Sequence, residues 1–264
     1  MSIQAASYGA GVQSTAMLVL AAQGKIAPRL FIFANVGDRA ENPETLAYMG
    51  KFAVPFAREC GIELIQRRWV DRSGRERDLY DDLMSASRTI DIPVRLASGA
   101  FGNRKCTERY KIDVVARYLR KRGATVDDPA TLAIGISTDE FHRARVGVDK
   151  GHPWITRSNP LLDLGLSRAD CIRAVTDAGL PQPPKSSCYF CPFQTAEQWR
   201  TRRRRQPELF AKAEALEAKL NETRAALGRD RVGLATAAAP LGLAIDDQLV
   251  LDGMDGCDSG WCMT

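Results

Sequence analysis

Near the start of the chain stands the stretch that decides the fold, Ser7-Tyr8-Gly9-Ala10-Gly11-Val12-Gln13-Ser14-Thr15. We predict a short strand over residues 3–7 before it and a helix over residues 13–23 after it, because apolar residues recur there at helical spacing. A glycine turn between a strand and a helix lets backbone N–H groups approach a phosphate, and the helix N-terminus adds favourable partial charge. The stretch therefore predicts a phosphate-binding loop, with a purely structural turn as the alternative.

Outward from this loop, apolar runs alternate with helical patterns. Strand candidates lie at residues 30–35, 62–66 and 130–137, and helix candidates at 43–60, 79–87, 107–122 and 167–178. Alternating strands and helices form a parallel sheet that is covered on both faces. We therefore predict an α/β fold with a doubly wound parallel sheet over residues 1–195. A helical extension over residues 196–264 is expected to contain a helix at 207–227 and to end in a mobile, cysteine-bearing tail.

Composition narrows the class of protein. Of the 264 residues, 45% are hydrophobic and 26% are charged, which is enough to bury a core and too apolar for a disordered chain. The sequence has no leader pattern and no apolar stretch of membrane-spanning length, so we expect a cytoplasmic protein with no membrane partner. The net charge of +5 favours anionic ligands. The arginine run at 202–205 is typical of a solvated helix face, and nucleic-acid binding is the alternative.

Cysteine spacing raises the question of a metal site. Seven cysteines in a chain expected to stay in a reducing compartment do not indicate a disulfide framework. Cys188 and Cys191 have the C-x-x-C spacing, which suits one metal or one redox-active disulfide, and the pair alone leaves both open. Cys257 and Cys262 lie in the tail, from which we expect a thiol to be able to reach a nucleotide site.

The glycine stretch lacks the Gly-Lys-Ser/Thr of a Walker loop and the third glycine of the dinucleotide fingerprint. It resembles instead the pyrophosphate-binding loop of the adenine nucleotide alpha-hydrolase (PP-loop) superfamily, which includes phosphoadenylylsulfate reductases and ATP-dependent sulfurtransferases. Further similar motifs follow in that family's order: Asn35-Val36-Gly37-Asp38, Lys105-Cys106-Thr107-Glu108-Arg109-Tyr110-Lys111, Gly135-Ile136-Ser137-Thr138-Asp139-Glu140 with Arg143, Asn159-Pro160-Leu161-Leu162-Asp163-Leu164, and Cys188-Tyr189-Phe190-Cys191-Pro192-Phe193. The chain departs from the pattern at Gln13, where the commonest form has aspartate, and at Ser137, which replaces an arginine expected to face a sulfate group.

The resemblance implies a Rossmann-like fold of the HUP type and a site for ATP or another adenylyl nucleotide with Mg²⁺. Lys111 is implied to reach a phosphate or a cluster sulfide, and Asp38 to place Mg²⁺ or the ribose, so both are catalytic candidates. The residues implied to bind the nucleotide are Ser7, Tyr8, Gly9, Gly11, Val12, Gln13, Ser14, Thr15, Asn35, Gly37, Gly135, Ser137, Glu140 and Arg143.

The resemblance also implies that Cys106 joins Cys188 and Cys191 as the ligands of a 4Fe-4S cluster. Related adenylylsulfate reductases have two adjacent cysteines where this chain has Lys105-Cys106, so three-ligand binding would leave one iron open. Zn²⁺ held by the same cysteines and a tail cysteine is the alternative. Reductase relatives carry a sulfur-accepting cysteine near the C-terminus, which implies a catalytic role for Cys257 or Cys262.

Three functions follow from the resemblance. The first is an ATP-dependent iron–sulfur sulfurtransferase that adenylates its acceptor, and the second is an adenylylsulfate or phosphoadenylylsulfate reductase that uses a tail cysteine. The third is a non-catalytic module that senses a nucleotide or a cluster and binds nucleic acid. The partners expected are an adenine nucleotide, a sulfur donor such as sulfide or a cysteine desulfurase persulfide, RNA or DNA, and further copies of this chain in a homo-oligomer.

Overall fold

The apolar run after the first helix forms a fully buried strand in the computed structural model, which describes residues 2–96, 98 and 100–234. This strand, β2 (Leu30–Ala34), belongs to a six-stranded sheet in the order β3-β2-β1-β4-β6-β5. The first five in that order are parallel, and β5 pairs antiparallel with β6 at one edge. The remaining strands are β1 (Gln4–Ser7), β3 (Glu63–Arg67), β4 (Ala130–Ala133), β5 (Gly147–Val148) and β6 (Ile155–Ser158).

Helices alternate with the strands along the chain, and further helices come after the last strand. Asn42 caps the second helix by accepting from the N–H of Glu44, and Pro43 occupies its first turn as predicted. The helices are α1 (Val12–Ala22), α2 (Pro43–Tyr48), α3 (Val54–Glu59), α4 (Leu79–Met84), α5 (Lys105–Thr107), α6 (Asp113–Lys121), α7 (Pro160–Asp163), α8 (Arg168–Asp177), α9 (Ala196–Arg205) and α10 (Pro207–Ala226). Two π-helical turns, Met49–Ala53 and Glu108–Ile112, join α2 to α3 and α5 to α6, and a 3₁₀ helix spans Thr138–Arg143.

Side chains of β2 point alternately into two cores, as the period of a strand requires. Phe31 and Phe33 pack with buried residues of α1, α3 and α8 on one face, whereas Leu30 and Ile32 pack with α6 on the other. Both faces of the sheet are therefore covered by helices. This confirms the predicted doubly wound α/β fold.

The helical extension packs beside α4 and shares a third hydrophobic cluster with it. Trp199, Phe210 and Leu216 from α9 and α10 are buried there against Leu83. Further along, Oε2 of Glu217 accepts from the backbone N–H of Leu234 at 2.7 Å. The division into two domains stays a prediction, and the predicted tail with its two cysteines lies outside the described residues.

The sequence patterns missed several elements. Strands β5 and β6 and helix α7 were not predicted, and α9 was expected only as part of the helical extension. Within the arginine run, Arg203, Arg204 and Arg205 are exposed as expected for a solvated face, whereas the side chain of Arg202 is buried. Its guanidinium donates to Gln194 at 3.0 Å, which satisfies the buried charge in part. No helix in the described part of the chain is both long and apolar enough to cross a bilayer.

Candidate functional site

The strand order reverses next to β1, and this places the predicted site. Going from β1 the chain moves outward through β2 to β3, and it then returns to place β4 on the other side of β1. Ligands of open parallel sheets bind beyond the carboxyl ends of the strands at such a switch point. The end of β1 and the segments that follow β1, β2 and β4 hold all the predicted nucleotide-binding residues. They meet beyond the carboxyl ends of these strands.

The glycine loop opens α1 with its hydrogen bonds already arranged. The Gly11 N–H donates to Ser14 Oγ at 3.1 Å, and the Ser14 hydroxyl lies 3.0 Å from the Gly11 carbonyl oxygen that it donates to. The hydroxyls of Tyr8 and Thr15 are paired at 3.1 Å, and burial raises the Tyr8 pKa. Side-chain hydrogen bonds thus hold the loop and the first turn of α1 together.

Ser7 ends β1 directly beside this loop. It is 4% exposed, and within the described residues its Oγ has no hydrogen-bond partner. A buried hydroxyl without a partner is costly, so such a group calls for an explanation. A phosphate oxygen bound at the start of α1 would supply the missing partner, which fits the prediction for Ser7.

Gly11 and Gly135 each lie close to another segment of the site. A Cβ on Gly11 would lie 3.0 Å from Ser186 Oγ, and one on Gly135 would lie 3.3 Å from the backbone nitrogen of Ser14. The first distance shows that the segment before Cys188 lies against the glycine loop. The second shows that the end of β4 lies against α1, as expected for the two sides of a switch-point crevice.

Polar residues after β4 form a buried network beside α1. Glu140 and Arg143 pair with each other at 2.8 Å, and Ser137 donates to Asp139 at 3.3 Å. Burial raises the pKa of Glu140, and Arg143 opposes that shift. Gln13 accepts from Arg168 at 3.1 Å, and this hydrogen bond links α1 to α8. Gln13 stands at the position where aspartate is commonest in the resembling family.

The segment after β2 lies at the same edge. Asn35 donates to Asp38 at 2.9 Å and accepts from the Gly37 N–H at 2.7 Å. A hydrogen bond from Arg68 lowers the pKa of Asp38, which keeps that carboxyl ionised. Its role with Mg²⁺ or the ribose stays a prediction.

Glu41 is a site residue that the sequence did not reveal. It is 3% exposed, its Oε1 accepts from the Val36 N–H at 3.3 Å, and burial raises its pKa while Lys111 lowers it. A lone glutamate before a helix start carries no signal of burial. Glu41 lies in the segment after β2, and the charge of Lys111 acts on its carboxyl. The role of Lys111 at the site stays a prediction.

The cysteine turn at 188–191 is fastened to the segment after β2. Cys188 forms an isolated antiparallel bridge with Glu41, and the Cys191 N–H donates to the Cys188 carbonyl at 3.1 Å. Cys106 and Cys188 are both partly buried against the hydrophobic cluster that contains Tyr189 and Phe190. The turn therefore pairs with the segment after β2 and shares a hydrophobic cluster with the start of α5.

Cys106, Cys188 and Cys191, the three predicted ligands, all lie within the described part of the chain. No disulfide among the described residues joins any two of them. Among the described residues, however, no three His, Cys, Asp or Glu side chains form a group that could hold a metal ion. A cluster or a zinc ion at these residues stays a prediction, and Cys257 and Cys262 fall outside the described residues.

Arg202 is a second residue that the sequence patterns did not place near the site. Burial lowers its pKa, and Cys188 and Cys191 act on that pKa in the opposite direction. The signal available in the sequence was only the arginine run, in which nothing distinguishes the first residue from the other three.

The fold and the site together define a class of protein: a doubly wound α/β protein with a glycine loop at the switch point of its sheet and a cysteine turn close to that loop. No protein-family profile matches the chain, and no curated protein matches it significantly. Among solved structures it is similar to the U34-tRNA thiolase NcsA from Methanococcus maripaludis with its 4Fe-4S cluster. The two are 17% identical, 83% of this chain and 72% of that chain are covered, and the TM-score is 0.43. Similarity of this degree assigns no activity to the chain.

Proposed function

We propose that this protein is an ATP-dependent sulfurtransferase that adenylates its acceptor at the glycine loop and transfers sulfur beside the cysteine turn. The observation that carries the proposal is the close approach of Ser186 to Gly11. This contact lies two residues before Cys188 and joins the phosphate-binding half of the site to the thiol-bearing half.

The nucleotide step needs positioning and charge neutralisation. The first N–H groups of a helix have no intrahelical acceptor, and with Ser7 Oγ they would hold the pyrophosphate portion of ATP. An acceptor oxygen attacks the α-phosphorus, the bond to the bridging oxygen breaks, and pyrophosphate leaves with Mg²⁺. Lys111, beside Glu41, is the cation proposed to face the developing charge.

The sulfur step completes the reaction. Hydrosulfide, or the terminal sulfur of a persulfide, attacks the acceptor carbon, the carbon–oxygen bond breaks, and AMP leaves. Where a persulfide is the donor, the first product is a disulfide between donor and acceptor. Two equivalents of an external thiol reduce that disulfide, which releases the thiolated acceptor and leaves the donor as a thiol. The donor set of Cys106, Cys188 and Cys191 fits an iron–sulfur cluster in its chemistry, because thiolates are the ligands that such clusters use. Such a cluster would supply an iron without a protein ligand, at which sulfide can bind.

The test is an assay of anaerobically reconstituted protein. One sample receives ATP, Mg²⁺ and sulfide with candidate acceptors, and another receives adenylylsulfate and reduced thioredoxin. Release of AMP and pyrophosphate without sulfite is the expected result. Sulfite release would replace the proposal by the reductase, and inertness toward every nucleotide would leave a sensing module.

A further inference from the structure

A basic cleft lies between the end of β3 and the outer face of α6. Its volume is about 520 Å³, and five of its nine lining residues are basic: Arg67, Arg68, Arg117, Lys121 and Arg122. None of those nine lining residues is acidic. The cleft is therefore a concentration of positive charge outside the nucleotide site.

Aromatic rings stand among these cations. The Arg67 guanidinium lies 4.6 Å from the centre of the Tyr118 ring, and that of Arg122 lies 5.8 Å from it. Trp69 also lines the cleft. Alternating cations and aromatic rings suit a ligand that carries both phosphates and flat bases.

Neutralisation within the protein is incomplete. Arg122 pairs with Glu63 at 3.0 Å, but the nearest carboxylate oxygen of Asp113 is 3.9 Å from Arg117, whose side chain is 63% exposed. Ion pairs at such exposure are weak and are easily exchanged for a phosphate. The cleft therefore retains positive charge with which an anionic ligand can interact.

The cleft leads to the candidate active site. The Arg67 carbonyl accepts from the Asn35 N–H at 2.8 Å, and Arg68 pairs with Asp38. At the same end Trp69 packs on Tyr110, 5.2 Å between ring centres, and Tyr110 directly precedes Lys111 in the chain. A polymer lying in the cleft would reach the segments that hold the proposed catalytic residues.

We propose that this cleft binds a single-stranded nucleic acid, with its phosphates on the arginines and lysine and a base stacked on Tyr118 or Trp69. Arginine forks match phosphate geometry, and stacking on aromatic rings is the usual way in which single strands are held. The binding itself is independent of the proposed reaction. Only the role of the cleft as the path of the sulfur acceptor rests on that proposal.

The test measures fluorescence anisotropy of labelled single-stranded RNA and of DNA of the same sequence, without ATP or sulfide. The double variant Arg117→Ala/Lys121→Ala should bind at least about tenfold more weakly, and its logarithmic salt dependence should fall by about 0.7 for each phosphate that the variant no longer neutralises. The matched control is Arg204→Ala/Arg205→Ala, which removes the same charge from α9 and should bind like the wild type. A preference for RNA or for DNA identifies the natural strand, and either supports the proposal.

A second variant tests the stacking. Tyr118→Ala should weaken binding severalfold, and Tyr118→Phe should retain it. The proposal is overturned if Arg117→Ala/Lys121→Ala binds as tightly as the wild type, if the α9 control loses as much affinity, or if inorganic tripolyphosphate displaces the strand at an equal phosphate concentration. Because the assay contains no ATP, its failure is separate from a failure of the sulfurtransferase activity.

Discussion

The glycine-loop half and the cysteine half of the site meet at one edge of the sheet but are built differently. In the first, strand ends and a helix start fix Ser7, Gly11 and Ser14 through contacts between near neighbours in sequence. In the second, Cys188 is held by a bridge to Glu41 and, like Cys106, packs against a cluster shared with the extension. Local contacts thus form the glycine-loop half, whereas the cysteine half depends on long-range packing. In the described chain the cysteine half contains no group of three side chains that could hold a metal ion.

The largest effect is expected on iron binding when a cysteine of the cysteine half is replaced. Cys191→Ser should abolish iron binding after anaerobic reconstitution, because a hydroxyl is a poor substitute for a thiolate ligand. Cys60→Ser, at the end of α3 away from the turn, should keep the iron content of the wild type. Iron analysis measures both, and equal iron in the two variants would remove Cys191 from the site.

The close approach of Ser186 to Gly11 can be disturbed by adding one methyl group at Gly11. Gly11→Ala places a Cβ 3.0 Å from Ser186 Oγ, and we expect ATP affinity to fall about tenfold, or about 1.4 kcal/mol. The double variant Gly11→Ala/Ser186→Gly removes the opposing hydroxymethyl group and should recover most of that affinity. Isothermal titration calorimetry measures the change, and a double variant no better than Gly11→Ala would show that the two halves do not press on each other.

On the side of the glycine loop, the buried pair after β4 should matter for stability. Arg143→Ala leaves the carboxylate of Glu140 buried without its partner, and we expect the free energy of unfolding to fall by about 3 kcal/mol. Arg145→Ala, two residues on and exposed, should change it by less than about 0.5 kcal/mol. Urea denaturation distinguishes the two variants, and equal losses would count against a special role for the pair.

The smallest expected effect is a dependence on pH. Because burial raises the folded-state pKa of Glu140 above its ordinary 4.5, its stabilising contribution is present below about pH 4.5 and is lost as pH rises through the folded-state value. Glu140→Gln should therefore gain stability relative to the wild type between about pH 4.5 and pH 7. The exposed control Glu59→Gln should follow the wild-type profile, and a difference that shrinks with rising pH would reverse the sign assigned to Glu140.

The same contrast explains what could be predicted from the sequence. The β1–α1 unit and β2 were predicted because their apolar periods are local and their neighbours in the fold are neighbours in the chain. Strand β6 was missed because Thr156, Arg157 and Ser158 give it no apolar period, and its place in the sheet comes from pairing with β4. Glu41 is buried with Lys111 acting on it from far along the chain, and Arg202 donates to Gln194, eight residues before it in a loop, an arrangement that no periodic pattern reveals.

The central claim is that nucleotide and sulfur chemistry share one site. The most direct measurement is the visible absorption spectrum of the anaerobically reconstituted protein, titrated with a non-hydrolysable ATP analogue, together with iron and zinc analysis. We predict an iron–sulfur spectrum that changes saturably with the analogue and does so at a higher concentration in Gly11→Ala. A colourless protein with one zinc ion, or an iron–sulfur spectrum that saturating nucleotide leaves unchanged, would contradict the account.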